Sequence, residues 1–260
     1  MSRTMATEYN GTADPARSLA LLWRTHERSS RKGKPDLSVD RIAAAAIDIA
    51  DAEGLAALSM RRVAERLGVG TMSLYTYVPA KAELVDVMLD TVYGETARPE
   101  DVPGGWRARL ALIARENRDL HRRHPWMLQV AAVNRPVLGP NLMAKYEYEL
   151  RAVAGIGLTE IEMDFVVNLV ASYVQGAARG AVDAAQSESR SGVTDEQWWR
   201  AHAPLLGRLF DPERYPTAAA VGSAVGESHG SAYDPDANFE FGLERVLDGI
   251  EAFLAARPRP

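Results

Sequence analysis

The stretch "SMRRVAERLGVGTMSLYTYV", residues 59–78, contains two short helical patterns that meet at "LGVG". The first has an apolar stripe at helical spacing: Met60, Val63, Ala64 and Leu67. Ser59 is a candidate N-cap for this helix, and Gly68 is suited to end it. The second pattern opens at Thr71 and consists mostly of hydroxyl-bearing and aromatic residues. Two such helices joined by a tight turn have the proportions of a helix-turn-helix motif.

The second helix of this motif is predicted to fit the major groove of DNA, because its polar side chains are short. We expect Leu74 and Val78 to anchor it in the core and Thr71 to cap it. Its hydroxyl groups suit phosphate oxygens: Thr71, Ser73, Thr76 and Tyr77. The methyl group of Met72 suits thymine, and Tyr75 offers an aromatic surface with a phenol at its tip. The alternative is a solvated surface turn, which is a common environment for a short helix of this composition.

Three positions around the motif are predicted to support DNA binding. Backbone N–H groups at the helix start near Ser59 favour phosphate. Arg61 lies close enough to this end to reach a phosphate or a base edge. Lys81, which opens the next helical pattern, is expected to add another contact to the phosphate backbone.

The residues on either side of the motif complete a helical unit that we assign to residues 37–83. The preceding stretch "LSVDRIAAAAIDIADAEG" has Ser38 as a candidate N-cap and Gly54 as a candidate C-cap. Its apolar face has helical spacing: Ile42, Ala46, Ile49 and Ala50. Pro79 separates the motif from the helical pattern that begins at Lys81. This unit is predicted to be a three-helix DNA-binding domain with a helix-turn-helix.

Residues 84–260 are predicted to form a second, larger helical domain. No stretch of any length alternates apolar and polar residues in the manner of a strand. Helical patterns cover six ranges: 104–123, 125–133, 138–155, 159–185, 195–210 and 237–256. The segment 211–236 is rich in Pro, Gly, Ser and Ala, and we interpret it as a loop. The predicted fold class is therefore all-α.

The composition is typical of a globular protein of 260 residues, with 47% hydrophobic and 25% charged residues. The absence of cysteine excludes disulfides and thiolate metal sites. No apolar run has the roughly 20 residues of a membrane span, and the N-terminus lacks the apolar core of a secretory signal. We therefore expect a soluble, cytoplasmic protein without a membrane partner. Residues 1–81 carry a net charge of +3 and residues 82–260 carry −8, so only the first part is expected to meet a polyanion.

Residues 1–36 are interpreted as an N-terminal extension. The segment "PARSLALLWRTHERS" contains a short helical pattern whose apolar side is formed by Leu19, Leu22 and Trp23. The segment "SRKGKPD" that follows is typical of a flexible basic linker. Two alternatives stay open, a disordered tail and an arm that reaches phosphates or a minor groove. The arm would use four basic residues: Arg28, Arg31, Lys32 and Lys34.

The segment "GLAALSMRRVAERLGVGTMSLYTYVPAKAELVDVMLD" closely resembles the DNA-binding domain of the tetracycline-repressor (TetR) family of bacterial regulators. The "LYxYVxxKxxL" pattern is specific to it. Two further segments, "HPWMLQVAAVNRPVLGPN" and "FEFGLERVLDGIEAFL", resemble parts of the C-terminal domain of the tetracycline-repressor class within this family. The resemblance covers about residues 37–256 and leaves out the N-terminal extension.

This resemblance implies a one-component transcriptional regulator, most often a repressor, that binds a palindromic double-stranded operator as a homodimer. The family's recognition positions fall on six residues: Thr71, Met72, Ser73, Tyr75, Thr76 and Tyr77. Arg61 and Lys81 would support them. A small-molecule effector in the C-terminal domain would change the distance between the two DNA-binding domains of the dimer and release the DNA. The C-terminal domain is thus expected to bind the effector and to dimerise.

Dimerisation is predicted to use two long helices. One carries small residues that allow close approach of a partner helix: Gly176, Ala177, Gly180 and Ala181. The other carries an apolar stripe at helical spacing: Phe239, Leu243, Leu247, Ile250 and Leu254. The alternative is burial of these residues within one subunit. The resemblance to a four-helix dimer bundle, built from two such helices per chain, favours the dimer.

The effector site is predicted from polar residues that interrupt apolar helix faces. The candidates are Asn117, His121, Asn134, Arg135, Tyr146, Asn168 and Ser172. For each of them, a satisfied core position or a surface position is the alternative. Arg135 is the best supported, because it precedes Pro136 as a similar Arg-Pro does at the pocket of the tetracycline repressor.

The sequence predicts neither a metal site nor a cofactor. Ala131 and Ala132 stand just before "NRP", where the tetracycline repressor has the histidine that holds its magnesium–drug complex. The acidic and histidine positions that support this site on a later helix of the repressor correspond roughly to Gly180 and Ser172, which argues against a magnesium–tetracycline site. His121 and His124 have the spacing of a shared helix face, but Pro125 follows directly, so we expect no metal there.

A helical enzyme and a regulator without a small-molecule effector are the two alternative classes of function. A helical enzyme would need a constellation of catalytic groups, and the sequence has no cysteine, no Gly-rich phosphate loop and no His-Glu pair on one helix. The sequence therefore predicts that the protein is not an enzyme. A DNA-binding regulator without a small-molecule effector, controlled by a protein partner or acting as an activator, stays an alternative.

Overall fold

The computed structural model describes residues 14–25, 37–131, 135–229 and 233–257, and the regular structure in these ranges is entirely helical. The predicted all-α fold class is confirmed. The first six helices are α1 (Pro15–Leu22), α2 (Val39–Glu53), α3 (Met60–Leu67), α4 (Thr71–Tyr75), α5 (Lys81–Tyr93) and α6 (Gly105–Arg123). The next six are α7 (Met127–Val130), α8 (Pro140–Val153), α9 (Glu160–Ser191), α10 (Asp195–Leu209), α11 (Pro216–His229) and α12 (Pro235–Ala255).

The ends of α2 and α3 lie where the sequence predicts them. Ser38 Oγ accepts a hydrogen bond from the backbone N–H of Arg41 at 3.2 Å, and Ser59 Oγ accepts one from Arg62 at 3.3 Å. Gly68 adopts a left-handed φ of 67° after α3, which suits glycine and redirects the chain into α4. The prediction that Thr71 is an N-cap is wrong, because Thr71 is the first residue of α4 and Gly70 precedes it without a side-chain cap.

A first hydrophobic cluster joins helices α2 to α5. Leu74 and Val78 are fully buried in it, as predicted, because they anchor the short α4 against α2, α3 and α5. The same cluster takes in Trp126 and Met127, which lie at α7. The predicted domain boundary between residues 83 and 84 cuts through α5, whose buried side chains belong to this cluster. We therefore describe α5 as the helix that connects the two domains.

The N-terminal extension contributes α1 to this part of the fold. Asp14 caps the helix, and Leu22 is buried in the first cluster. Trp23 Nε1 donates to the carbonyl oxygen of Leu138 at 2.9 Å, and Arg24 forms an ion pair with Asp40 at 2.6 Å. The helical interpretation of this segment is thus confirmed for α1. The basic residues of the predicted arm lie outside the described residues: Arg28, Arg31, Lys32 and Lys34.

A second hydrophobic cluster joins α6, α8, α9 and α12. The α12 stripe lies inside it: Phe239, Leu243, Leu247 and Ile250 are each at most 4% exposed. The prediction that these four side chains form the dimer interface is therefore wrong, since they contact α6 and α9 of their own chain. Gly180 is also covered by its own chain, because a Cβ there would lie 3.1 Å from the hydroxyl of Tyr233.

One helix is present where a loop was predicted, and two others differ in length from the predictions. The predicted loop 211–236 contains α11, whose alanine-rich sequence has enough helix propensity to outweigh its glycines. Helix α9 continues six residues beyond the predicted end to Ser191, and α7 is limited to Met127–Val130. Helix α10 has no buried side chain among the described residues. No described helix combines the length and the apolar composition needed to cross a membrane.

Candidate functional site

The α3–α4 unit presents a compact polar surface. Helix α4 is only five residues long, and the side chain of Met72 is 76% exposed on it. Ser73, Tyr75 and Thr76 are also exposed, while Leu74 on the opposite side is fully buried. The exposed side chains are short or narrow, so the helix can approach the floor of a DNA groove closely.

Three of the predicted hydroxyl donors are less available than the sequence suggests. The hydroxyl of Thr76 donates to the carbonyl oxygen of Ser73 at 2.6 Å, so its proton is used within the helix end. Tyr77 is partly buried and packs against the first cluster. Thr71 is also partly buried at the start of α4. Ser73 and Tyr75 are the hydroxyl-bearing residues of α4 that remain exposed.

The three arginines of α3 have different roles. Arg62 pairs with Glu53 and donates to the carbonyl of Ala57, so it ties α3 to α2. Arg66 pairs with Asp48 of α2 at 2.9 Å and has a similar tethering role. The side chain of Arg61 is 82% exposed and pairs only with Glu65 on its own helix at 2.8 Å. Such an exposed pair contributes roughly 0.3–0.5 kcal/mol, so a phosphate can replace Glu65 at little cost.

The remaining predicted DNA contacts lie at the two helix starts beside α4. Ser59 uses its hydroxyl to cap α3, which leaves other backbone N–H groups of the first turn pointing outward. Lys81 is the first residue of α5 and is partly buried. Contact of both residues with DNA stays a prediction.

A cavity of about 500 Å³ lies in the body between α5, α6, α8 and α9. Five of the seven predicted effector residues line it: Asn117, His121, Arg135, Tyr146 and Asn168. The prediction for Ser172 is wrong, because this residue is exposed on α9 and does not line the cavity. Asn134 lies outside the described residues. The rest of the wall is largely apolar, and Leu89, Leu120 and Met127 form part of it.

One side of the cavity carries a connected polar network. Glu149 Oε1 accepts a hydrogen bond from Asn117 Nδ2 at 2.9 Å and forms an ion pair with Lys145. The hydroxyl of Tyr146 donates to Asp164 Oδ1 at 2.7 Å. These contacts satisfy both carboxylates and hold Lys145 in place.

His121 and Asp86 line the cavity, and their surroundings shift the pKa of each far from its ordinary value. Burial, with Lys145 and Arg179 nearby, lowers the pKa of His121 to about 4, so its ring is neutral at neutral pH. Its Nδ1 atom is buried without a hydrogen-bond partner. Burial, with Glu83 nearby, raises the pKa of Asp86 to about 6. Asp86 is not among the predicted effector residues, although an acidic residue among apolar neighbours in "ELVDVML" is a usable signal.

Asp86 is expected to lower the stability of the folded protein at neutral pH. Because its folded-state pKa is raised from 3.8 to about 6, ionisation costs stability as the pH rises through this range, and the cost is absent below it. Asp86→Asn should therefore raise the free energy of unfolding at neutral pH by about 1–2 kcal/mol after allowance for partial exposure. Urea unfolding at neutral pH and at about pH 5 measures the effect, which should shrink at the lower pH. The exposed control Asp101→Asn should change neither value, and an equal gain from both variants would contradict the assignment.

A second polar cluster joins the DNA-binding unit to the body. His124, which ends α6 and is 6% exposed, has Nδ1 at 2.9 Å from Asp51 of α2 and Nε2 at 3.0 Å from Glu95. Trp126 Nε1 also donates to Asp51, at 2.8 Å. Side chains from α2, the end of α5, and α6 thus meet at one imidazole ring. Among the described residues, no group of three His, Asp or Glu side chains is placed to hold a metal ion.

A short groove-sized helix supported by α3, carried on a helical body with a cavity, defines a DNA-binding protein of the helix-turn-helix class. Residues 42–88 match the family model described as bacterial regulatory proteins, tetR family. Residues 98–254 match the model described as tetracyclin repressor-like, C-terminal domain. The chain therefore belongs to the tetR family of bacterial regulatory proteins, and it is a DNA-binding transcriptional regulator.

Similar proteins extend over almost the whole chain. The HTH-type transcriptional repressor DrrR1 of Streptomyces coeruleorubidus is 47% identical over 256 residues, which is 98% of this chain and 92% of that protein. The crystal structure of apo ActR from Streptomyces coelicolor is 29% identical with a TM-score of 0.69, covering 86% of this chain and 99% of ActR. ActR in complex with actinorhodin is 30% identical with a TM-score of 0.67, covering 85% and 99%.

Proposed function

We propose that the protein represses transcription by binding a palindromic operator as a homodimer, and that a small molecule in the cavity releases it. Helix α5 carries the proposal, because it connects the two sites. It begins at Lys81, which is a predicted phosphate contact, and Leu89 and Tyr93 further along the helix line the cavity. A helix of this length is about 20 Å long and moves as a rigid rod. A ligand that displaces its cavity end therefore displaces its DNA end. The name of DrrR1 as a repressor and the complex of ActR with actinorhodin support this function.

The proposed dimer uses faces of α9 and α12 that the chain leaves uncovered. Ile161, Phe165 and Leu169 follow one another at four-residue spacing on α9 and are 50–66% exposed. Phe241 and Phe253 of α12 are 67% and 46% exposed. Gly176 lies further along the same face of α9, and a Cβ there would meet no atom within 4 Å. Exposed large apolar side chains on two helices that pack against each other are typical of a protein–protein interface.

Phe165→Glu is expected to convert the dimer into a monomer. The substitution places a carboxylate in the centre of the proposed interface, where it would be buried without a partner. The dimer dissociation constant should rise about 100-fold or more, because central aromatic residues dominate such interfaces. Sedimentation velocity measures the mass. Leu209→Glu on α10, where the leucine is 86% exposed, is the matched control and should remain dimeric. A Phe165→Glu protein that stays dimeric would contradict the proposed interface.

Gel-shift titration with the DNA that flanks the protein's own gene tests operator binding. The affinity should fall steeply with salt, because the basic side chains release counterions from the phosphates. The effector-free alternative predicts that no compound in the cavity changes this affinity. A screen for compounds that both stabilise the protein against heat and release the DNA distinguishes the two.

Arg61→Ala is expected to relax sequence specificity. Arg61 is the most exposed arginine of α3 and pairs within its own helix, whereas Arg62 and Arg66 pair with α2. An arginine contact to a base edge contributes about 1–3 kcal/mol of discrimination. Affinity for the operator should fall roughly 10- to 100-fold, with a smaller loss on variants altered at the contacted base. The matched control is Arg151→Ala, since Arg151 is 77% exposed and pairs with Glu147 on its own helix. An equal loss on every operator variant would show that Arg61 contacts only phosphate.

A further inference from the structure

Asp86 is the cavity carboxylate that its surroundings leave without a partner. It lines the cavity from α5, next to Val85 and Leu89. Glu149 and Asp164 of the same cavity are both satisfied by donors from the protein. Among the residues that the structure describes, no donor or cation is found for the Asp86 side chain. A partly buried carboxylate that faces a cavity without a partner is costly, so its place in the wall points to a ligand that satisfies it.

The electrostatic surroundings of Asp86 favour a positive charge. Burial and the neighbouring Glu83, three residues earlier on α5, both disfavour the ionised form and raise the pKa of Asp86. Glu83 Oε2 is itself buried without a hydrogen-bond partner. Glu83 and Asp86 lie on one helical turn and repel each other. A single cation beside Asp86 would lower the energy of this repulsion.

Within the described part of the chain, no cation pairs with the Asp86 carboxylate. Lys145 is engaged by Glu149, and Arg179, which lies outside the wall, donates to the carbonyl of Leu128. Arg135 is exposed on the segment that precedes α8. His121 is neutral, so it does not repel a cation, and its free Nδ1 adds a hydrogen-bonding group. The described lining thus contains three carboxylates against two cations, with the excess negative charge at Asp86.

We propose that the effector carries a protonated amine that pairs with Asp86, attached to a largely apolar framework that fills the rest of the cavity. This inference rests on the proposed function, because it assumes that the cavity is the effector site. The volume of about 500 Å³ and the apolar wall suit a framework of several rings. Asp86 lies five residues from Lys81 on α5, about 8 Å along the helix axis. The amine would therefore bind to the same helix that begins at Lys81, the predicted phosphate contact.

A matched pair of probes tests the amine. The probes are 2-(aminomethyl)anthraquinone and 2-(hydroxymethyl)anthraquinone, which share the same rings and differ in an ammonium or a hydroxyl group. Isothermal titration of the full-length protein without DNA measures both affinities at neutral pH. The amine should bind at least tenfold more tightly than the alcohol. Asp86→Asn should reduce the ratio to about one through the loss of amine binding, with the affinity for the alcohol changed less than twofold.

Two controls separate this result from loss of structure and from failure of the proposed function. Asp101→Asn removes an exposed carboxylate outside the cavity and should keep the tenfold preference. Urea unfolding shows whether Asp86→Asn remains folded. Equal affinities of the two probes, a preference that survives in Asp86→Asn, or no binding of either probe at millimolar concentration would overturn the inference. Operator binding of the same preparations is measured separately by gel shift, so a protein that binds the amine but no operator would refute the proposed function alone.

Discussion

Ser73→Glu is expected to abolish specific operator binding without loss of stability. Ser73 is exposed on α4, the helix that is proposed to enter the DNA groove. A carboxylate at this point would face the phosphates, and such like-charge contacts cost several kcal/mol. The operator affinity should therefore fall roughly 100-fold or more, and the effect applies to both subunits of a dimer. Tyr77 is a less suitable site for this test, because it packs against the first cluster and its loss would also affect folding.

Fluorescence anisotropy with labelled operator DNA, at two salt concentrations, measures the effect of Ser73→Glu. Ser223→Glu is the matched control, since Ser223 is exposed on α11 and the net charge changes by the same amount. This control should bind DNA like the unaltered protein, apart from a small electrostatic loss that salt removes. Thermal unfolding of both variants should remain unchanged. Equal losses in the two variants would mean that α4 does not face the DNA.

His124→Ala is expected to lower the stability of the folded protein more than any other substitution proposed above. The ring joins Asp51 of α2 to Glu95 at the end of α5, and it is 6% exposed. Removal of the ring takes one hydrogen-bond partner from each of the two carboxylates and creates a cavity beside Trp126. The free energy of unfolding should fall by about 2–4 kcal/mol.

Urea and thermal unfolding measure this loss, which corresponds to a fall in melting temperature of roughly 4–16 °C for a chain of this size. The matched control is His202→Ala, because His202 is exposed on α10 and stacks on Trp198. It should change the stability by about 0.5 kcal/mol or less. Because the cluster connects the cavity domain to α2, ligand-induced release of DNA should also weaken in His124→Ala. A variant as stable as the control would show that the cluster is incidental.

Much of the DNA-binding unit follows from local sequence. Ser38 and Ser59 cap their helices as predicted, because capping depends on hydrogen bonds within three residues. Leu74 and Val78 are buried because their spacing places them on one side of a short helix. The loop interpretation of residues 211–236 failed because frequent Gly and Ser were given more weight than the alanine run that forms α11.

The dimer residues and the cavity residues were harder to predict for a different reason. Periodicity shows that α12 has an apolar face at Phe239 and Leu243, but it does not show whether the same chain or a partner covers that face. The structure covers it with α6 and α9, and leaves Phe165 and Phe241 exposed instead. In the same way, five polar positions proposed for the cavity line it, whereas Ser172 lies on the outer face of its helix.

The sequence by itself determined the all-helical fold, the ends of α2 and α3, and the burial of Leu74, since these depend on neighbours within about four positions along the chain. Only the tertiary structure decided which charges are satisfied. Arg61 is left exposed while Arg66 pairs with Asp48, which lies 18 residues away. His124 meets Asp51 across 73 residues, and Asp86 meets no donor among the described residues. Such contacts depend on how distant helices pack together, and helical spacing within one segment carries no information about them.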